Sequence, residues 1–142
     1  MKKIEWNKDW YLDGGEIDAQ HKNLIDILNR IIDRNIDVYE LVISLIEYSS
    51  NHFVDEEILM LKNNYPEDKY LLHKQEHRLF TKALLEISFG LVDVVKDINA
   101  KSIIKKIKRF CFTWFNSHFL STDKELFTFI DKGGVIENIV RN

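Results

Sequence analysis

The sequence predicts an all-α chain: an antiparallel up-and-down four-helix bundle with an N-terminal arm and a short C-terminal helix. Helix breakers are sparse, with five glycines and one proline in 142 residues, so long stretches run uninterrupted. Within those stretches apolar residues recur at three- and four-residue spacing, the period of a half-buried helix. The breaks between stretches are short, which makes successive helices antiparallel neighbours.

Residues 1–17 carry Trp6, Trp10 and Tyr11 without a helical period, and read as an aromatic-anchored arm lying across the bundle. Asp18 is the expected N-cap of a first helix that ends near Asn35, with His21, Leu24, Ile25, Leu28 and Ile32 on one stripe. Asp37 and Glu40 have capping-box spacing and open a second helix, whose inner stripe is Leu41, Leu45, His52, Glu56 and Leu59. The stretch "NNYPED" stops that helix and starts another. Pro66 suits a first helical position, and Glu67 and Asp68 favour a helix N-terminus. This third helix reaches about Phe89, with His73, His77, Phe80, Leu84 and Ile87 inward. After the less regular "GLVDVVKDIN", a fourth helix turns Ile104, Ile107, Cys111, Trp114 and His118 inward. Thr122 and Glu125 repeat the capping-box spacing and are expected to open the short last helix. One domain over 1–142 follows, with the arm at 1–17, the bundle at 18–120 and a C-terminal segment at 121–142.

A net charge of -3 gives no electrostatic footprint for nucleic acid, and the basic stretch "KSIIKKIKRF" reads as a solvated helix face. Cys111 is the one cysteine, so no intrachain disulfide forms. No apolar run approaches the roughly 20 residues that cross a bilayer, and charged residues interrupt the N-terminus where a secretion signal would need an apolar run. A cytoplasmic monomer that binds neither nucleic acid nor membrane is the expectation.

All five histidines fall on inward stripes. A single histidine on an apolar face is usually a hydrogen-bonded core residue; five together point to ligands. Glu56 follows His52 by one turn and shares its face. Asp123 follows His118 by five residues, so a distortion or a break near Ser121 and Thr122 must re-aim it. Asp55 and Glu57 flank Glu56 and read as solvated surface charges. In an up-down-up-down bundle the start of the first helix, the later part of the second, the early part of the third and the end of the fourth share one half of the molecule. His21, His52, Glu56, His73, His77, His118 and Asp123 all fall there. Buried carboxylates need a cation, and five nitrogen with two oxygen donors exceed one tetrahedral zinc but suit two octahedral ions, above all iron. Two bridging carboxylates, five imidazoles and one bridging solvent oxygen would fill about eleven of twelve octahedral positions and leave one for a small ligand.

In these residues the chain resembles the hemerythrin family in its bacterial single-domain form. "EIDAQHKNLIDILN" resembles the family's first-helix motif, "HFVDEEILM" its His-x-x-x-Glu element, "HKQEH" its His-x-x-x-His element and "WFNSHFLSTDK" its His-x-x-x-x-Asp element. The resemblance implies that His73, His77 and His118 hold one iron and His21 and His52 the other, with Glu56 and Asp123 bridging. An oxo or hydroxo group would join the two irons (Fe2+/Fe3+), and dioxygen would bind reversibly at the open one, for storage, delivery or sensing. The chain departs from the family at "DGGEID", which has Glu16 after the paired glycines where an aliphatic residue is common. Leu24 and Phe115, one turn from His21 and His118, are candidates for the apolar wall of the oxygen pocket. A sensor would need a separate protein partner. The competing readings are an enzyme or detoxification protein acting on peroxide or nitric oxide, iron storage, and a histidine phosphotransfer module, against which five inward histidines argue. The histidine-rich donor set favours a carrier over an enzyme.

Overall fold

The computed structural model describes residues 2–12, 14–92 and 97–132, with the backbone alone at 91–92 and 97–100. Residues 93–96, within the stretch that the sequence reads as less regular, and the end of the expected C-terminal segment, 133–142, lie outside the described residues. A 3-10 turn at Lys8–Trp10 precedes α1 (Glu16–Ile32), α2 (Val38–Lys62), α3 (Glu67–Val92) and α4 (Asp97–Trp114). A π-helical segment, Phe115–Asp123, then leads directly into α5 (Lys124–Asp131). Among the described residues no strand occurs. Each main helix packs on the next, and α4 closes back on α1. Short connections therefore give the expected antiparallel bundle.

The helix ends refine the sequence reading. Asp18 is not the N-cap of α1; Gly15 holds that position, and Asp18 lies buried in the first turn. Its carboxylate accepts from the backbone N–H groups of Leu12 (2.9 Å) and Gly14 (2.6 Å), tying the arm to the helix as Gly14 turns the chain at φ 78. At the other end α1 stops at Ile32, short of Asn35, because Arg34 adopts a left-handed conformation, φ 58. Asp37 caps α2 as expected, accepting from the N–H groups of Tyr39 (2.9 Å) and Glu40 (3.1 Å). Glu40 turns to Arg30 (2.6 Å) and so joins the two helix ends. Pro66 stands just before α3, its carbonyl accepting from Tyr70 N–H at 2.8 Å. No break occurs at Thr122. The chain stays helical through it, and the anticipated capping box does not form there.

The main core stacks Leu24, Leu28, Leu41, Leu45, Phe80, Ile107 and Cys111, all essentially removed from water. Burial of each leucine-sized side chain contributes about 1.5–3 kcal/mol. A smaller cluster of Ile17, Met60, Tyr65, Leu126 and Phe127 closes the other end. Met60 replaces Leu59 on the inner stripe of α2, because a four-residue step from Glu56 stays on the face. The arm docks as anticipated. Trp10 meets Phe115 (5.7 Å) and Phe119 (5.4 Å), and Asn29 exchanges two hydrogen bonds with the Ile4 backbone (2.7 and 2.9 Å). Tyr11 is no anchor; it is 53% exposed.

Candidate metal centre

Between the two cores the bundle gathers seven polar side chains, none more than 2% exposed: His21, His52, Glu56, His73, His77, His118 and Asp123. Three helices, α1, α2 and α3, and the π-helical segment deliver them. His52 and Glu56 stand one α-turn apart on α2, and His73 and His77 one turn apart on α3, so each pair points the same way. His118 and Asp123 could not do so on a regular helix. Hydrogen bonding at i→i+5 widens the turn, and the five-residue step then returns Asp123 to the face of His118. Of the two routes open for re-aiming Asp123, distortion is the one taken.

The donor atoms form two groups that share both carboxylates. Oε1 of Glu56 faces Nε2 of His73 (2.6 Å), His77 (3.1 Å) and His118 (3.8 Å), while Oε2 faces His52 (3.2 Å) and His21 (3.6 Å). Asp123 divides in the same way: Oδ1 lies 3.0 Å from both His73 and His118, and Oδ2 lies 3.3 Å from His21. Three imidazoles therefore stand on one side and two on the other, with each carboxylate spanning the gap. Nε2 of His21 and Nε2 of His52 are 3.1 Å apart. That separation is close to the edge of an octahedron built on metal–nitrogen bonds of about 2.1 Å.

Outer contacts fix three of the rings. His52 donates its Nδ1–H to Gln20 Oε1 (2.8 Å), His77 to Glu57 Oε2 (2.9 Å) and His118 to Glu76 Oε1 (3.0 Å). Such bonds set the tautomer and leave Nε2 free as a donor to metal. Glu57 is therefore not the solvated charge expected of it, and Asp55 accepts from Gln20 Nε2 at 2.7 Å. A rule links the three supports. Gln20 precedes His21 on α1 yet serves His52 on α2; Glu57 follows Glu56 on α2 yet serves His77 on α3. Glu76 precedes His77 on α3 yet serves His118. Each stands in the chain beside one donor residue and orients a donor on the next helix.

Aromatic rings wall the imidazoles. Trp114 stacks on His118 (3.8 Å between ring centres), Phe53 on His77 (4.1 Å) and Tyr48 on His52 (5.1 Å), while Phe119 (4.7 Å) and Phe127 (5.3 Å) border His21. Leu24 and Phe115 are buried in the same core, but Phe115 is one ring removed from His21, stacked on Phe119 at 5.3 Å. Of these rings periodicity places only Trp114 on an inward stripe; Tyr48, Phe53, Phe119 and Phe127, which touch the other histidines, it does not single out.

The electrostatics fit a cation. Burial pushes Glu56 and Asp123 toward their neutral forms, yet the surrounding imidazoles outweigh it and hold both carboxyls below their ordinary range. Burial opposes charge on His21 and His73 too, but the close carboxylates of Asp123 and Glu56 raise both from 6.5 to about 9. For His52 burial dominates and lowers the pKa. Glu56 Oε2, both Asp123 oxygens and His118 Nε2 nonetheless make no hydrogen bond. Buried acceptors and a buried imidazole nitrogen left in this way, facing one another across two shared groups, are a donor set that metal ions would satisfy.

Residues 15–130 match the model of the hemerythrin HHE cation binding domain. The chain belongs to the hemerythrin family. Among its relatives, a bacteriohemerythrin of Clostridium acetobutylicum is 26% identical over 129 residues, covering 84% of this chain and 95% of its own length. Bacteriohemerythrins of Stenotrophomonas maltophilia (30% identical) and Pseudomonas aeruginosa (29% identical) align over 91 residues, 61% of this chain and 58% of theirs. As a hemerythrin, the chain carries a non-haem metal-binding centre. Among its described residues no helix is long and apolar enough to cross a membrane.

Proposed function

We propose that this hemerythrin binds dioxygen reversibly at a di-iron centre held by His21, His52, Glu56, His73, His77, His118 and Asp123. The observation that carries the reading is the division of both carboxylates between a three-histidine and a two-histidine group. Two ferrous ions held there, with an oxo or hydroxo group, would supply the two electrons with which dioxygen is bound and would take them back on its release. The chain's own residues do the rest. Glu56 and Asp123 supply two negative charges shared across the site, and the five imidazoles add donors without charge. The two-histidine side has one protein donor fewer, which makes it the place for a small ligand. Phe119 and Phe127, with Leu24 and Phe115 in the core behind them, keep bulk water from that side. Gln20, Glu57 and Glu76 hold three rings in the tautomer that donates Nε2.

A histidine-rich, carboxylate-poor donor set supports carriage over oxidation of a substrate, since fewer anionic donors stabilise high-valent iron less well. The protein therefore acts as a carrier, store or sensor of dioxygen and not as an enzyme. The test begins with anaerobic loading by ferrous ion, for which about two irons per chain are expected. Visible absorption is then followed through repeated cycles of air and deoxygenation. A spectrum that appears with air and disappears on its removal, cycle after cycle, is the expected result. One irreversible oxidation, or rapid multiple turnover of added peroxide, would overturn carriage in favour of an enzyme acting on peroxide or nitric oxide. Progressive uptake of iron far beyond two per chain would point to storage.

A further inference from the structure

The π-helical segment poses a problem that its donor residues do not solve. Nine residues of π-helix, Phe115–Asp123, exceed the single turn in which this conformation usually occurs. Asn116 donates to the carbonyl of Phe112 (2.9 Å) and Ser117 to that of Thr113 (2.7 Å). These bonds stay within one continuous helix, so they leave its rotation against the rest of the bundle open. Among the described residues, a side chain of α3 hydrogen-bonds to both sides of the widened turn. Oε1 of Glu76, on α3, accepts from His118 Nδ1–H (3.0 Å) and from the Thr122 hydroxyl (2.9 Å), with Oε2 3.2 Å from the same hydroxyl. His118 and Thr122 lie on either side of the widened turn, and Asp123 is the next residue.

We propose that Glu76 is a positioning residue that pins the π-helical segment to α3 and so sets the register in which Asp123 comes back over His118; this rests on the reading of those two residues as metal ligands. Its part is geometric, because both bonds land on a single oxygen. A glutamine amide oxygen at the same place can accept both, whereas alanine can accept neither. Position and charge are thereby separable, and the role differs from simple packing, since Glu76 lies at the rim of the site and is not in the apolar core.

The first test uses the full chain without metal and measures backbone hydrogen exchange over residues 116–124. Glu76→Ala is expected to speed exchange there at least tenfold, and Glu76→Gln to stay within about twofold of the parent. In anaerobic ferrous titrations Glu76→Ala should weaken binding about 10–100-fold, and Glu76→Gln by less than about threefold. Thr122→Val, which removes one of the two bonds and keeps the volume, should fall between them and serves if Glu76→Ala does not fold. Parent-like exchange in Glu76→Ala, or in Thr122→Val where that variant stands in, would overturn the proposal, as would equal impairment of the alanine and glutamine variants, which would make charge the operative property. If the parent itself takes up no iron, the ligand reading fails, while the exchange measurement still decides whether Glu76 is the pin.

Discussion

Tyr48 lies with its ring over His52 and its hydroxyl buried beside the Trp114 indole N–H, with no hydrogen bond of good geometry between them. Burial raises the pKa of that hydroxyl well above its ordinary value, so it remains a neutral phenol at any working pH. Most of what Tyr48 contributes is therefore its ring, which packs on His52, Phe53 (6.0 Å) and Phe80 (6.1 Å). A buried polar group without a partner costs about 1–3 kcal/mol of desolvation, and removing it at constant shape releases that cost. Tyr48→Phe is accordingly expected to leave the unfolding free energy of the metal-free protein unchanged or to raise it by about 1 kcal/mol. Urea denaturation checks this; a loss of about 2 kcal/mol or more would mean that the hydroxyl is satisfied after all. The neighbouring imidazoles have the opposite design. His52, His77 and His118 each have an outer acceptor, so truncating Gln20, Glu57 or Glu76 strands a donor.

At the scale of elements, the ends of the helices are separable from the site they carry. Asp37 caps α2 at the opposite end from Glu56, through two hydrogen bonds to backbone N–H groups in an exposed setting. Asp37→Ala should lower stability by about 1 kcal/mol, read by urea denaturation, and leave the number of metal ions bound per chain as it was. This cap was legible in the sequence because its signal is local: an aspartate, a three-residue step and the start of an apolar stripe. The seven site residues were legible for a related reason, since a histidine or carboxylate on an inward stripe stands out against apolar neighbours. Glu57 and Glu76 were not, because each sits one position from a donor residue on its own helix and looks like solvated charge. Their partners lie on the next helix, which spacing within one helix cannot show. The π-helical segment lies between these cases. The five-residue step from His118 to Asp123 required a departure from regular geometry there, but nothing in "SHFLSTDK" distinguishes a widened turn from a break. The contact that favours the widened turn, Glu76 with Thr122, joins residues 46 apart.

For the whole molecule, the question is what balances two buried carboxylates at the middle of the bundle. In the metal-free protein the balance comes from protons. His21 and His73 have their pKa values raised from 6.5 to about 9, against the pull of burial, by the close carboxylates of Asp123 and Glu56. A raised folded-state pKa contributes stability that is fully present below 6.5 and is lost as pH rises through about 9. Glu56 and Asp123 are shifted downward, so their contribution is present above the ordinary carboxylate range and is lost on acidification. Metal ions reverse the first dependence, because they require neutral imidazoles and supply the positive charge themselves. Bound metal adds stability as RT ln(1 + [L]/Kd), about 4 kcal/mol at a thousandfold excess over Kd. Chelation should therefore lower the melting temperature, and the gap between metal-loaded and metal-free protein should widen as pH is raised from 6.5 to about 9. The loaded protein gains from deprotonated ligands over the range in which the metal-free protein loses its imidazolium–carboxylate pairs. Calorimetry of both forms across that range tests the argument, with metal content verified at each pH. A gap that stays constant or narrows would mean that protons do not hold the carboxylates when metal is removed, and that the centre is emptied by opening the bundle instead of by exchange of one cation for another.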